Sequence, residues 1–312
     1  MNPDRPRLAT HSSRQVGSSL RSAGLLIDYG ACCVHIKGAN AGFGSVLREV
    51  YAMFPRLTEP TFADFHVRLR PGHGLRRWLR PQARFSIDGI EPFEPFPLSH
   101  ALPLFEWGVN WCFAQRFNQY VLLHAGALAL ADRAVVMAAT PGSGKSTLSA
   151  ALMLNGFRLL SDEFGVLKPD TGELLPMLKP VALKNESIAV IRDFSTAARI
   201  GPTYPKTRKG DVAHLAPDEQ SVDAAHRPAR PTLVIFPRFR AGAPLALKPQ
   251  PPEQAFARLA FNSFNYSLLG PVSFHTVADL AENCPAFELT YSRLDEAISC
   301  VRQLLDDAPN PP

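Results

Sequence analysis

Cysteine is scarce and poorly arranged for metal binding. Five cysteines occur, at 32, 33, 112, 284 and 300, an odd number with no C-x-x-C spacing. A metal site built from these cysteines, or a disulfide framework, is therefore not expected; reduced thiols in a cytoplasmic protein are. No apolar run reaches the length of a membrane span. The opening MNPDRPRLATHSSRQVGSSLRSAG has no apolar stretch of the secretory type and is read as a flexible tail. No long Lys/Arg run, RNP-type aromatic motif or zinc-finger spacing is present. Lys and Arg number 33 against 28 Asp and Glu, an excess that suits an anionic ligand without marking a nucleic-acid binder. Neither nucleic acid nor membrane is expected as a partner.

What the chain does have is apolar content, 46% of 312 residues, enough for one large core or two smaller ones. After the tail (1–23), residues 24–118 read as a smaller α+β region. It has short strands around Gly30, a helix over 45–54, an alternating strand over 61–70 and a hairpin turning at Asp88-Gly89. A long helix over 100–119 joins this region to the rest. Its Trp107, Trp111 and Phe113 read as packing residues, with a stacking site as the alternative. From Tyr120 apolar strands alternate with helical patterns, the signature of an α/β nucleotide-binding domain over 119–306. Loops are expected to dominate 169–230, and 307–312 reads as a second tail. The N-terminal region is expected to select a substrate or to build a homo-oligomer.

The strand AVVMAA (134–139) runs into TPGSGKST (140–147) and then a helical pattern that stops at Asn155-Gly156. A phosphate cradle needs glycines that let backbone N–H groups turn inward, a helix N-terminus behind them, a lysine, and a hydroxyl for magnesium. Thr140, Pro141, Gly142, Ser143, Gly144, Lys145, Ser146 and Thr147 supply these, although Ala139 stands where the pattern G-x-x-x-x-G-K-[ST] has its first glycine. His124 lies 21 residues before Lys145, and Asp162-Glu163 lies 17 and 18 residues after it. If the strands are parallel, their C-terminal ends bring the acids to the loop. There one carboxylate can hold magnesium and a second can act as general base.

These three pieces, H-A-G (124–126), A-T-P-G-S-G-K-S (139–146) and S-D-E (161–163), resemble the HPr kinase/phosphorylases and their divergent relatives in both order and spacing. The resemblance covers 119–168 well and the rest of the C-terminal half loosely; the N-terminal half shows none. It implies a P-loop domain of the HPr-kinase/PEP-carboxykinase-like type that binds ATP and Mg2+. Lys145 and the loop would hold the phosphates. Ser146 and Glu163 would hold the metal, Asp162 would take the acceptor's proton, and His124 would orient or tune Asp162. The family has Ser where Pro141 stands. Its E-I-R-G segment is replaced by L-K-P-V-A-L-K-N (178–185), with lysines and no matching acid. Reversal by inorganic phosphate, and HPr itself as acceptor, are therefore not implied.

Extra cations are expected around a transferring phosphoryl group. Lys184 and Arg238 each follow a strand-like run and are the preferred candidates. Lys179 is a further one, and the basic loop KTRKG (206–210) would grip an acidic substrate or close as a lid. The function expected is an ATP-dependent kinase acting on a Ser/Thr-like hydroxyl of a protein, peptide or small molecule. The alternatives are a nucleotide-binding regulator or scaffold with little or only ATPase activity, and a small-molecule kinase or a carboxykinase-like enzyme. The acceptor itself is unknown from sequence.

Overall fold

The computed structural model describes residues 6–38, 41–57, 62–72, 74 and 79–309. Residues 1–5 and 310–312 of the two expected tails, and Thr61 of the alternating segment, lie outside the described residues. The chain is mixed α/β.

Residues 6–23 differ from the expected tail. Helix α1 (Ser13–Arg21) opens on a capping box in which Ser12 and Gln15 each satisfy the other's backbone N–H. It buries Val16 and Leu20 against the N-terminal sheet and against α2 (Ala41–Val50). The Ser-rich composition reads as solvated, but the apolar residues recur four apart and find a partner face. The sheet is β1 (Leu25–Asp28), β2 (Cys33–Gly38), β3 (Phe65–Pro71), β4 (Gln82–Ile87) and β5 (Phe96–Pro97), hydrogen-bonded in that order. Along β3 the expected alternation holds, with Phe65, Val67 and Leu69 inward. Asp88 and Gly89 make the expected turn with positive φ.

Helix α3 (Ala101–Arg116) is the expected connector, and it is buried on nearly every side. After it, β6 (Val121–Leu130) and β7 (Arg133–Ala138) form an antiparallel pair. Two turn residues, Ala131 and Asp132, join them, with Ala131 at φ 50°. The tight connection read at Ala131-Asp132-Arg133 thus makes the His124 strand antiparallel to the strand before the loop. Parallel neighbours need a crossover of a dozen residues or so, and two residues allow only a hairpin. β8 (Arg158–Ser161) and β9 (Phe164–Leu167) pair with the other edge of β6, also antiparallel. They therefore run in the same direction as β7, and the end of β8 still reaches the end of β7.

Helix α4 (Lys145–Leu154) follows β7 and packs on β6. Gly126 of β6 makes room for it, since a Cβ there would stand 2.7 Å from Ser149 Oγ. Beyond β7 the sheet continues through β14 (Arg230–Phe239) and β16 (Ala286–Tyr291), both parallel to it, to the antiparallel edge β15 (Ala246–Gln250). β10 (Leu174–Leu175) closes the opposite edge beside β9.

The region expected to be mostly loop holds more structure than its Pro/Gly/Lys content suggests. β11 (Val181–Lys184), α5 (Glu186–Phe194), β12 (Tyr204–Thr207), β13 (Gly210–Leu215) and α6 (Glu219–Asp223) lie within it. The three strands form a small sheet in the order β11-β13-β12. Short strands of this kind gain order from long-range pairing that local composition does not reveal. Helices α7 (Pro252–Phe261), α8 (Tyr266–Leu269), α9 (Pro271–Asn283) and α10 (Leu294–Asp307) complete the chain. No helix among the described residues is long and apolar enough to cross a membrane.

Candidate active site

The loop after β7 is built by positive-φ glycines and by the ends of the parallel strands. Gly142 and Gly144 have φ of 87° and 88°, where an L side chain is strained. β14 reaches the loop through Phe239 N–H, which donates to Ser143 O at 2.9 Å. β16 reaches it through the Tyr291 hydroxyl, which donates to Gly144 O at 3.1 Å. Gly144 caps α4 without a side-chain bond, so the helix begins with N–H groups that no cap occupies. Ser143 Oγ, buried in this loop, has no hydrogen-bond partner. Ala139 is buried and ordinary in backbone, so the first-glycine position imposes no demand here.

Lys145 is buried and reaches away from the loop, donating from Nζ to the main-chain oxygen of Asp162 at 2.8 Å. Burial pulls its pKa down, and the neighbouring charges of Asp162 and Glu163 oppose that. The acids sit where the strand β8–β9 is interrupted. Ser161 pairs with Ala127 and Phe164 with His124, while the two residues between make no ladder pair. The Ser161 hydroxyl holds the break by accepting from Phe164 N–H at 3.0 Å and from Glu163 N–H at 3.3 Å. Two carboxylates are thereby released from the sheet beside the start of α4.

Their environments differ. Asp162 is 5% exposed, and Oδ1 has no hydrogen-bond partner. The hydroxyls of Ser146 and Ser149 face the carboxyl and draw its pKa down slightly, yet neither closes a hydrogen bond on Oδ1, and Ser149 Oγ is itself unpartnered. Burial outweighs Lys145 and these hydroxyls, so the Asp162 carboxyl stands above its ordinary range. Glu163 is more open. Burial pushes its carboxyl up, but the field of Lys145, Lys209 and Lys184 outweighs that and holds it below the ordinary range. His124 faces Glu163 rather than Asp162, with Nε2 3.8 Å from Oε1. Burial, with Lys145 next, pushes its imidazole down to about 4, so the ring is neutral at pH 7.

Two cavities flank these residues. One, of about 760 Å³, is walled by the loop from Ala138 to Ser143, by Arg238 and Arg240, and by Phe261 and Glu288. Arg238 also stands 3.7 Å from Glu288. The other, of about 320 Å³, is walled by Asp162, Glu163, Lys184 and Lys209 at one end and by Trp107 and Phe96 at the other. Lys184 and Arg238, paired as candidates from sequence, therefore serve different cavities. Lys179 lines the second cavity but is committed: it donates to Glu106 O at 2.8 Å and Asn110 Oδ1 at 2.5 Å, and lies 3.1 Å from the Glu106 carboxylate. Trp111 and Phe113 pack in the interior, as expected. The basic loop KTRKG brings Arg208 and Lys209 to the second cavity, whereas Arg240, Phe261 and His214 were not singled out. No motif marks them, and only chain crossing brings them to these walls.

No group of three or more His, Cys, Asp or Glu able to hold a metal ion occurs among the described residues. A scan against protein-family models and a search of the curated proteins each return no match for this chain.

Proposed function

We propose that the chain is an Mg-ATP-dependent kinase, with a P-loop domain of the HPr-kinase-like type and a hydroxyl as phosphate acceptor. The observation that carries this reading is the pairing of an uncapped helix N-terminus bearing Lys145 with the buried, unpartnered Oδ1 of Asp162. Such a loop suits phosphates through its N–H groups and helix dipole. The larger cavity beside it is within the size range of small-molecule sites and suits the nucleotide. Magnesium generally takes one or two carboxylates together with substrate phosphates, so a three-residue cluster is not required of such a site. The ionised Glu163 and the Ser146 hydroxyl suit it, and when bound it neutralises charge on the phosphate oxygens.

In the transfer, Asp162 accepts the proton of the acceptor hydroxyl, and a raised pKa makes it the better proton acceptor of the two. The acceptor oxygen bonds to the γ-phosphorus as the bond to the bridging oxygen breaks, and ADP leaves with that electron pair. Lys145 swings from the Asp162 carbonyl to the phosphates. His124, neutral beside Glu163, orients that carboxylate. A second division of roles is favoured by one observation: Ser146 and Ser149 face Asp162, which suits Asp162 to the metal and leaves Glu163, with His124, as base. A cytoplasmic location is proposed on the five free cysteines, four of them buried as small apolar side chains.

Transfer from γ-labelled ATP to components of a host extract, compared between wild type, Asp162→Asn and Glu163→Gln, tests the reading. Label on a discrete acceptor with wild type alone supports a kinase. Free phosphate as the sole labelled product would make the protein an ATPase, and bound but uncleaved ATP would make it a scaffold.

A further inference from the structure

The smaller cavity has an end that the transfer chemistry leaves unused. It is walled by Trp107 of α3 and Phe96 of β5, both from the N-terminal half, and by Ala182 and Val212 of the small sheet. Trp107 is held in place by stacking on Phe93, centroids 4.6 Å apart. Arg208, at the β12–β13 turn, lies over both rings, 5.8 Å from the Trp107 centroid and 5.9 Å from that of Phe96. It has no ion pair among the described residues. Lys184 and Lys209 stand at the other end, where their field acts on Glu163. Besides Asp162 Oδ1, the wall residue His214 has a buried polar atom without a hydrogen-bond partner, Nδ1. Lys179 and Glu106 neutralise each other in the floor.

We infer that this cavity is the acceptor pocket, and that it takes a small hydroxyl compound bearing an anionic group and an apolar or planar body, either free or as the end of a peptide. The inference rests on the kinase reading and deepens it. A volume of about 320 Å³ lies at the low end for small-molecule sites and has no room for a folded domain. The hydroxyl goes to the Asp162 end, the body lies along Trp107 and Phe96, and the anion meets Arg208. His214 Nδ1 supplies a hydrogen bond to a polar atom of the body. The N-terminal half thus chooses the acceptor by completing the pocket wall.

The test uses phenyllactate and the dipeptide seryl-phenylalanine, each with its carboxamide counterpart, as acceptors for label from γ-labelled ATP. At least one acid should take label, and its amide should be poorer by about tenfold or more. Arg208→Ala should erase that difference. Ala182→Phe, which fills the cavity, should abolish transfer while affinity for a fluorescent ATP analogue stays unchanged; Val212→Phe on the neighbouring strand serves if the first variant is unstable. Which acid is used tells free compound from peptide end. Wild type and Ala182→Phe labelling the same protein-sized species in extract would overturn the pocket and leave the kinase intact. So would calorimetry showing that neither acid binds a wild-type protein that binds ATP. A wild type unable to bind the ATP analogue would instead overturn the functional reading.

Discussion

Lys145 donates to the main-chain oxygen of Asp162 at 2.8 Å, so its ammonium is held at the acidic break rather than over the loop. A phosphate-binding lysine in this position must exchange that bond for the ligand. Lys145→Met should lower affinity for an ATP analogue by about tenfold or more, worth roughly 1.4 kcal/mol, as read by fluorescence titration. Unchanged affinity would remove Lys145 from the site.

The two loop glycines should respond unequally to alanine. Both have positive φ, which costs an L residue about 1–2 kcal/mol. A Cβ on Gly142 meets open space, whereas one on Gly144 collides with the Tyr291 hydroxyl and stands 2.9 Å from Phe239 Cβ. Gly144→Ala should therefore lower the thermal midpoint and nucleotide affinity more than Gly142→Ala does. Equal effects would mean that β14 and β16 do not brace the loop.

The Glu106–Lys179 pair joins the helix between the two halves to the segment leading into β11. Both residues are buried, and Glu106 also accepts from the Tyr51 hydroxyl at 2.5 Å. Removing one partner strands a charge, a loss of about 3–5 kcal/mol for a buried pair. Glu106→Gln and Lys179→Met should each lower urea stability on that order, and the double variant should lose less than their sum. Additive losses would deny the coupling.

His214 is buried, and burial pushes its imidazole from 6.5 down to about 4. The unfolded chain then takes up this proton first as pH falls. The contribution to stability is complete above about pH 6.5 and is lost progressively toward pH 4. His124 acts in the same sense. Raised Asp162 opposes them, because the native state holds its proton more tightly. Thermal midpoints of His214→Gln should fall less steeply than wild type between these pH values. Parallel curves would show that His214 is not the group responsible.

Much of the glycine-rich loop and its setting was legible in the chain. Val135, Val136 and Met137, then Gly142, Gly144 and Lys145, announce strand, turn and helix in a contiguous stretch, and local order follows local sequence. The two-residue link at Ala131-Asp132 also carried the antiparallel direction of β6. The acids were legible as a break in an apolar strand.

The second cavity was legible only in pieces: Asp162, Lys184 and the KTRKG loop stood out in the sequence, but not that they share one wall with Trp107 and His214. Trp107, Asp162, Lys184, Arg208 and His214 come from distant parts of the chain, and only the tertiary fold brings them to one cavity. The buried environments that shift Asp162, His124 and His214 arise the same way, since desolvation depends on what covers a group rather than on its neighbours in sequence. The order of α1 likewise depended on a partner face. The sequence by itself determined a glycine-rich turn between a buried strand and a helix, with a lysine and two acids at set intervals, because those features are local. The tertiary structure alone decided which carboxylate faces His124, what each cavity is lined with, and that the N-terminal half closes one of them, because those depend on contacts between residues far apart in the chain.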